Sequence, residues 1–448
     1  MGPRQAVNCS NLISAKQHES ELEEKITKEI QAGRIAGPFK NKPFSNLRLS
    51  PIGLVAKKPP PGSKIHGWRM IQHLSYPLGS SINSFIDPQL ATVQYTSFDK
   101  VLGTISKLGK GAEMARMDIV SAFRLLILHP DEFVLFGFRF QDNFYFQKAL
   151  PMGCSAAACA LFEKFSCFLE WLVRFQSHKE SIEHYLDDFL LAGEARSGEC
   201  LHLMNNFRTI CSDIGVPLAE EKTLGPTCIM TFLGLEIDTL EMVIRIPQDK
   251  LTEVKGKLEL TIKKRKITLR DLQSLVGSLN FCAKAIPSVR AFNRRFCDAM
   301  CGIQRSNHFI RVTLGMKEDI KTWLTFLENF NGTLAFGESE WLSNSKIHLF
   351  TDSAGNPDLG CGVYFSGRWA YFQWPSSWEN TDVMADITFL ELVPIVLSIL
   401  LFKEDLYNKR ILFHTDNKAL VSILNKKSSK SRRVMELVRP FVLQTMLF

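Results

Sequence analysis

Apolar residues recur every third or fourth position in some stretches of the chain and crowd together or alternate in others, so helices and strands are interleaved. Residues 17–34, QHESELEEKITKEIQAGR, predict an exposed, charge-laced helix. Two β-rich segments, 54–58 and 68–73, flank a loop marked by three prolines and a glycine, with basic residues at the strand ends. Between 115 and 146 the runs ARMDIV, FRLLILH, FVLFGFRF and NFYFQKAL all predict strands. Small residues then open a long helical stretch, PMGCSAAACALFEKFSCFLEWLVRF. In HYLDDFLLAG, 184–193, two carboxylates stand between β-rich flanks, which predicts a hairpin with Asp187 and Asp188 at its turn.

A helix over 200–214 leads to TFLGLEIDTLEMVIRIP, where alternation over 242–246 predicts another hairpin. Residues 248–300 are helical, and TLRDLQSLVGSLNFCAKAIP opens on a capping pattern, Thr268 with Asp271, and stops before Pro287. After a break near 331–344 the chain turns β-rich again in KIHLFTDSAG and GCGVYFSGRWAYFQW. A helix (ITFLELVPIVLSILLF), a strand (RILFHTDN) and a further helix follow. No internal repeat has a fixed period, and the boundaries fall near 246 and 340. The fold class is therefore mixed α/β and α+β, in several domains.

Composition narrows the function classes. With 448 residues, 45% hydrophobic and 22% charged, the chain has apolar material for real cores. A net charge of +8 suits a polyanionic partner. Eleven scattered cysteines without a C-x-x-C pair argue against zinc knuckles and disulfide frameworks and fit a reducing compartment. The start, MGPRQAVNCS, has no apolar leader segment and fails the myristoylation pattern at Ala6. The longest apolar run, 392–402, is too short to span a bilayer. An intracellular location, cytoplasmic or nuclear, and no membrane partner are the expectations.

The chemistry lies in the acids. Asp118 ends a predicted strand, and the Asp187, Asp188 turn follows later. Nucleotidyl transfer needs carboxylates converging on two divalent cations roughly 3.5–4 Å apart, and hard oxygens are the ligands Mg²⁺ prefers. A strand-end Asp and an Asp–Asp turn are, by themselves, ordinary polar turns. Their surroundings change that. YLDDFLLAG resembles the Y-x-D-D hairpin of reverse transcriptases, and MDIVSAF resembles the first catalytic strand of that family. LPMG resembles the loop that packs on the incoming nucleotide, TFLGLEID the primer grip, and VAKK with WRMI the fingers hairpin. The motifs stand in the family's order from 55 to 238. The wording HLSYPLGSSIN, PMGCS and HYLDDFLLAG is most similar to DIRS-type, tyrosine-recombinase retrotransposons.

The resemblance implies a right-hand polymerase with fingers and palm over 1–246 and thumb and connection helices over 247–340. It implies Mg²⁺ (or Mn²⁺), two ions per active site, held by Asp118 and Asp187, with Asp188 completing the acidic site. Phe123 would gate the sugar; Lys58 and Arg69 would hold the triphosphate; Met152 and Gly153 would pack on the nucleotide; Phe232, Leu233 and Gly234 would grip the primer. Met152 stands where retroviral enzymes carry Gln, replacing a polar contact by an apolar one. The implied partners are an RNA template, a DNA primer, RNA–DNA hybrid and dNTPs.

Three further acids resemble the D–E–D core of ribonuclease H: Asp352 at a strand end, Glu391 in the first turn of a helix, and Asp416 at another strand end. That fold cuts a phosphodiester by two-metal catalysis, so Asp352, Glu391 and Asp416 would also be metal ligands. The family's fourth acid has no match before Phe448, so the domain over 341–448 is expected to be C-terminally incomplete and impaired. The basic runs at 263–266 and 425–433 suit contact with nucleic-acid backbone, or a solvated face. The ten histidines show no metal-ligand spacing, and His184 is expected simply to pack beside the acidic turn. Two rivals stand beside the polymerase: a decayed or domesticated copy that only binds nucleic acid, and an RNA-dependent RNA polymerase, which would explain neither the aromatic Phe123 nor the ribonuclease H pattern.

Overall fold

The computed structural model describes residues 4–57, 67–336, 341–407 and 409–447. The chain divides into two compact units, Met1–Cys228 and Ile229–Phe448.

The first unit is built around a four-stranded antiparallel sheet in the order Ile182–Tyr185, Asp188–Gly193, Glu113–Asp118, Leu224–Thr227. Its second and third strands are almost wholly buried, as expected for the centre of a sheet covered by helices. The helices Ala156–Ser177 and Glu199–Asp213 pack on it through Phe162, Leu169, Val173, Leu203 and Phe207, against Met117, Phe189 and Leu191. That burial fixes the register, because a one-residue slip would turn Met117 and Phe189 out of the core. The register places Asp118 directly opposite Asp188.

A second core gathers the helix Glu19–Gln31, the strands Ile35–Phe39, Asn143–Gln147 and Gly137–Phe140, and the ribbon Ile52–Ala56 with Trp68–Gln72. The helix expected to be exposed buries Leu22 and Ile26 on this core, while its charges face outward. The apolar runs over 119–135, expected to be strands, are instead the short 3-10 turns Ala122–Leu125 and Pro130–Leu135. The side chains of Phe123, Leu125 and Leu126 still pack on the central core, and strand-type pairing here is limited to single bridges, Ile119 with Leu218 and Ile127 with Ala149.

In the second unit the strands Ile229–Phe232, Leu235–Asp238, Val243–Arg245 and Leu334–Ala335 form one antiparallel sheet. The hairpin placed with the palm in the sequence is hydrogen-bonded to these later strands, which is why the physical division falls at Cys228/Ile229 and not at 246. The helices Gln248–Lys263, Leu269–Cys282 and Leu314–Asn329 follow. Thr268 caps the second, its Oγ1 accepting from the Asp271 N–H at 3.1 Å.

The strands Leu349–Ser353, Gly360–Phe365 and Arg368–Gln373 form an antiparallel meander, and Leu342–Ser343 pairs in parallel with Ile411–Leu412. The helix Ile387–Phe402 is apolar on nearly every side because it is covered twice, by the meander and by the helix Arg432–Leu447. Among the described residues, no helix is long and apolar enough to cross a membrane.

Candidate active site

The Asp118 strand and the 182–193 hairpin deliver their acids to one cavity of about 430 Å³ in the first unit. Asp118, Asp187, Phe123, Arg69, Met152, Lys57 and Lys222 all line it. Asp187 lies in the turn itself, after Leu186 in left-handed conformation (φ 54°), and Asp188 begins the returning strand. The turn is tied to the long helix, where the Ser166 hydroxyl donates to the Leu186 carbonyl at 2.7 Å.

The three carboxylates have different surroundings. Asp188 pairs with Arg116 at 2.7 Å, and Asp118 accepts from the Lys222 ammonium at 3.0 Å. The Asp187 carboxylate has no ion-pair partner within 4.0 Å among the described residues. Burial, followed by the charge of Asp118, pushes the Asp187 carboxyl above its ordinary range. Burial also raises Asp188, against the pull of Arg116, to about 6. Asp118 and Asp187 are thus hard-oxygen donors lining one cavity, and the set fits a divalent cation. Asp188 is paired with Arg116 as Asp118 is with Lys222, and unlike Asp118 it is not among the residues lining the cavity.

The wall carrying the aromatic is braced by residues the sequence did not single out. Phe123 sits in the turn Ala122–Leu125, half-buried, edge-on to Phe162 at 5.6 Å. Its neighbour Arg124 is nearly buried and pairs with Glu29 at 2.7 Å; its guanidinium also donates to the Ala149 carbonyl at 2.9 Å and the Leu150 carbonyl at 3.2 Å. One side chain therefore binds the helix Glu19–Gln31, the Phe123 turn and the approach to Met152 together.

Gly153 is held closely. Its φ is +121°, and a Cβ there would stand 1.8 Å from the Gln72 carbonyl oxygen. The Gln72 N–H donates to the Met152 carbonyl at 2.9 Å, and the Asn83 amide donates to the Gly153 carbonyl at 2.9 Å while its oxygen accepts the Ser155 N–H at 2.9 Å. The loop is pinned before the helix Ala156–Ser177 begins.

Lys58 lies outside the described residues. Lys57, its neighbour, lines the cavity with Lys25, Arg69 and Lys222. Burial and then the charges of Arg69, Lys25 and Lys222 lower the Lys57 pKa, the mark of cations crowded on one surface. Such a surface suits a polyphosphate. The signal for Lys57 was no more than a basic residue near a strand end, and Lys222, Arg124, Gln72 and Asn83 gave none.

The remaining predicted residues lie in the second unit. Leu233 and Gly234 form the two-residue turn between Ile229–Phe232 and Leu235–Asp238, both at positive φ, as a tight hairpin requires. Phe232 is fully buried, so its ring packs inward and only the turn is presented. Asp352 lies within the strand Leu349–Ser353 and is exposed. Glu391 sits in the second turn, not the first, because the helix starts at Ile387, where Asp386 caps it by accepting the Phe389 N–H at 3.1 Å. One Glu391 oxygen is buried without a hydrogen-bond partner. Asp416 does not end a strand: pairing stops at Leu412, and Asp416 is exposed in a bend. The adjacent Asn417 caps the helix Lys418–Lys426 and reaches Thr388 at 3.4 Å, which brings that bend beside the start of the Glu391 helix. Among the described residues neither acid triad brings its oxygens within 4.8 Å of one another.

Comparison with known proteins agrees with this geometry. Residues 55–237 match the family model described as reverse transcriptase (RNA-dependent DNA polymerase). The genome polyproteins of two Petunia vein clearing virus isolates, Shepherd and Hohn, are each 26% identical over 191 residues, 42% of this chain and 8% of the polyprotein. The chain thus spans a small fraction of these curated relatives. Among solved structures, the foamy viral protease-reverse transcriptase dRH in complex with double-stranded DNA has a TM-score of 0.58 at 18% identity, covering 100% of this chain and 70% of that one. The foamy viral protease-reverse transcriptase in complex with RNA/DNA hybrid gives 0.56 at 17%, covering 98% and 54%. This likeness establishes a polymerase-like fold. Residues 55–237, the stretch that matches the reverse transcriptase model, carry Asp118 and the Asp187 turn, and the curated sequences similar to the chain are viral genome polyproteins.

Proposed function

We propose that the chain is an RNA-directed DNA polymerase of a retrotransposon, of the DIRS type that its motif wording resembles, extending a DNA primer on an RNA template from dNTPs. The observation that carries the proposal is one cavity whose lining brings Asp118 and Asp187 together with the cations Arg69, Lys57 and Lys222 and with Phe123 and Met152. Asp118 and Asp187 would hold the divalent ions, Mg²⁺ or Mn²⁺, two per site. When bound, these supply Lewis acidity toward the primer 3′-hydroxyl and charge for the departing pyrophosphate. Arg69 and the lysines at 57 and 58 neutralise triphosphate oxygens, the arginine in a forked geometry. Phe123, held by its contact with Phe162 and by Arg124 next in sequence, excludes a ribose 2′-hydroxyl. Arg116 pairs with Asp188 next to the turn and opposes the effect of its burial.

The functional division crosses the physical one: fingers and palm run to 246, thumb and connection to 340, and a ribonuclease-H-like domain begins at 341. Within that domain we assign Asp352, Glu391 and Asp416 to the cleavage of RNA in RNA–DNA hybrids. The unpartnered buried oxygen of Glu391 supports a cation there. The exposed run 263–266, at the end of the helix Gln248–Lys263, would contact the template–primer backbone.

The test is primer extension on a homopolymer RNA template with Mg²⁺, supplied with dNTPs or rNTPs in parallel. DNA synthesis from dNTPs is expected. Extension with rNTPs alone would indicate an RNA polymerase, and binding without extension a nucleic-acid-binding descendant. Degradation of labelled RNA in a hybrid, lost in Asp352→Asn, tests the second site separately.

A further inference from the structure

Behind the Asp187 turn lies a cluster that polymerase chemistry does not use. Glu163 and Cys167 stand one helical turn apart on the helix Ala156–Ser177, and His184 faces them from the strand Ile182–Tyr185. Their ligand atoms, a carboxylate oxygen, Sγ and an imidazole nitrogen, all lie within 4.8 Å of one another. Nε2 of His184 is 3.1 Å from Glu163 Oε1 and 3.8 Å from Cys167 Sγ. In a tetrahedral zinc site, with Zn–N and Zn–O near 2.0 Å and Zn–S near 2.3 Å, those separations would be roughly 3.3 and 3.5 Å. No residue spacing signals this cluster, because the histidine joins its partners only through the packing of helix on strand.

Two independent features point to a ligand. Glu163 is 9% exposed, and its second oxygen, Oε2, is buried with no hydrogen-bond partner. A buried carboxylate oxygen left unpaired is costly, and a cation would satisfy it. The other imidazole nitrogen, Nδ1, is hydrogen-bonded to Glu170, which in turn is held by Arg174 at 2.7 Å. A carboxylate on Nδ1 fixes the ring with Nε2 toward the other two ligands, the outer-shell arrangement that accompanies metal-bound histidines. Cys167 is exposed, so solvent reaches the remaining position.

We propose that Glu163, Cys167 and His184 bind a divalent transition metal of the zinc class, with water as fourth ligand and Glu170 as the residue that orients His184. The sulfur and imidazole donors select such a metal over Mg²⁺, which keeps this site distinct from the all-carboxylate one. The metal would bridge the helix to the strand that enters the catalytic turn, beside the existing bond from Ser166 to Leu186. Its role is to hold that turn in place.

The test uses the full chain, reduced and stripped of metal, titrated with Co²⁺. One equivalent is expected to produce tetrahedral d–d bands and a thiolate-to-cobalt charge-transfer band, both bleached by one equivalent of Zn²⁺. Cys167→Ala, an exposed change that spares the core, is expected to abolish the charge-transfer band; Glu170→Gln is expected to keep it while weakening affinity about 10–100-fold. Circular dichroism checks that both variants fold. Cobalt or zinc held by Asp118 and Asp187 gives no thiolate band, so the two sites are distinguishable. Absence of the band in the parent chain, or its survival in Cys167→Ala, overturns the proposal and leaves His184 as a buried histidine hydrogen-bonded to two glutamates.

Discussion

Gly153→Ala is a small change with a large expected effect. The glycine has φ +121°, a region closed to residues with a Cβ, and the new methyl would meet the Gln72 carbonyl oxygen at 1.8 Å. Gln72 cannot yield freely. Its N–H is bonded to the Met152 carbonyl, its side-chain amide donates to the Gly137 carbonyl at 3.0 Å, and its side-chain oxygen accepts from Gln147 at 3.1 Å. Backbone strain alone costs about 1–3 kcal/mol. Moving the loop away from Gln72 leaves buried polar groups unpaired, at about 1–3 kcal/mol more. The expected destabilisation is about 2–6 kcal/mol, read by urea unfolding of the variant beside the parent chain. If the loop moves instead of the fold giving way, Met152 shifts on the cavity wall, and KM for dNTP should rise in steady-state primer extension. A variant with unchanged unfolding midpoint and unchanged KM would refute the claim that this loop is held by close backbone contact.

Two further outcomes follow from the site and the core. With Phe123 as the proposed sugar gate, Phe123→Val is expected to raise the ratio of rNTP to dNTP incorporation about tenfold or more; an unchanged ratio in competition assays would remove Phe123 from the gate. Asp319, 1% exposed and paired with Arg295 at 2.7 Å, is pushed by burial from its ordinary 3.8 up to about 6. The folded chain therefore holds this proton more tightly than the unfolded one. The stability it contributes is full below 3.8 and is lost as pH rises through about 6, on the order of 3 kcal/mol in all. Asp319→Asn lacks that slope, so its stability relative to the parent should climb between pH 4 and 7 in urea titrations; a difference that does not vary with pH would contradict the account.

What the sequence made legible was what is local in it. Asp118 at a strand end, the Asp187 turn and the Thr268 cap each rest on a few neighbouring residues, and each stands where the pattern placed it. Legibility failed where a residue's role depends on distant partners. Arg124 joins Glu29 to Ala149 and Leu150, Asn83 holds Gly153 and Ser155, and His184 meets Glu163 and Cys167, all across tens of residues. The strands expected over 119–135 failed for a related reason. Apolar density there reflects packing against Phe162 and the central core, a demand that a 3-10 turn meets as well as a strand does. The split between the compact units was not legible either, because the pairing of Val243–Arg245 with Leu334–Ala335 carries the preceding hairpin into the second unit.

The central claim, that Asp187 is the functional carboxylate of the turn, is tested most directly by single-turnover incorporation with Asp187→Asn beside a measurement of primer–template affinity. The amide keeps the size of the side chain and removes the charge that would hold a divalent ion. Incorporation should fall at least about a thousandfold, which is about 4 kcal/mol of barrier, with primer–template affinity unchanged. Retention of parental incorporation by that variant would contradict the account.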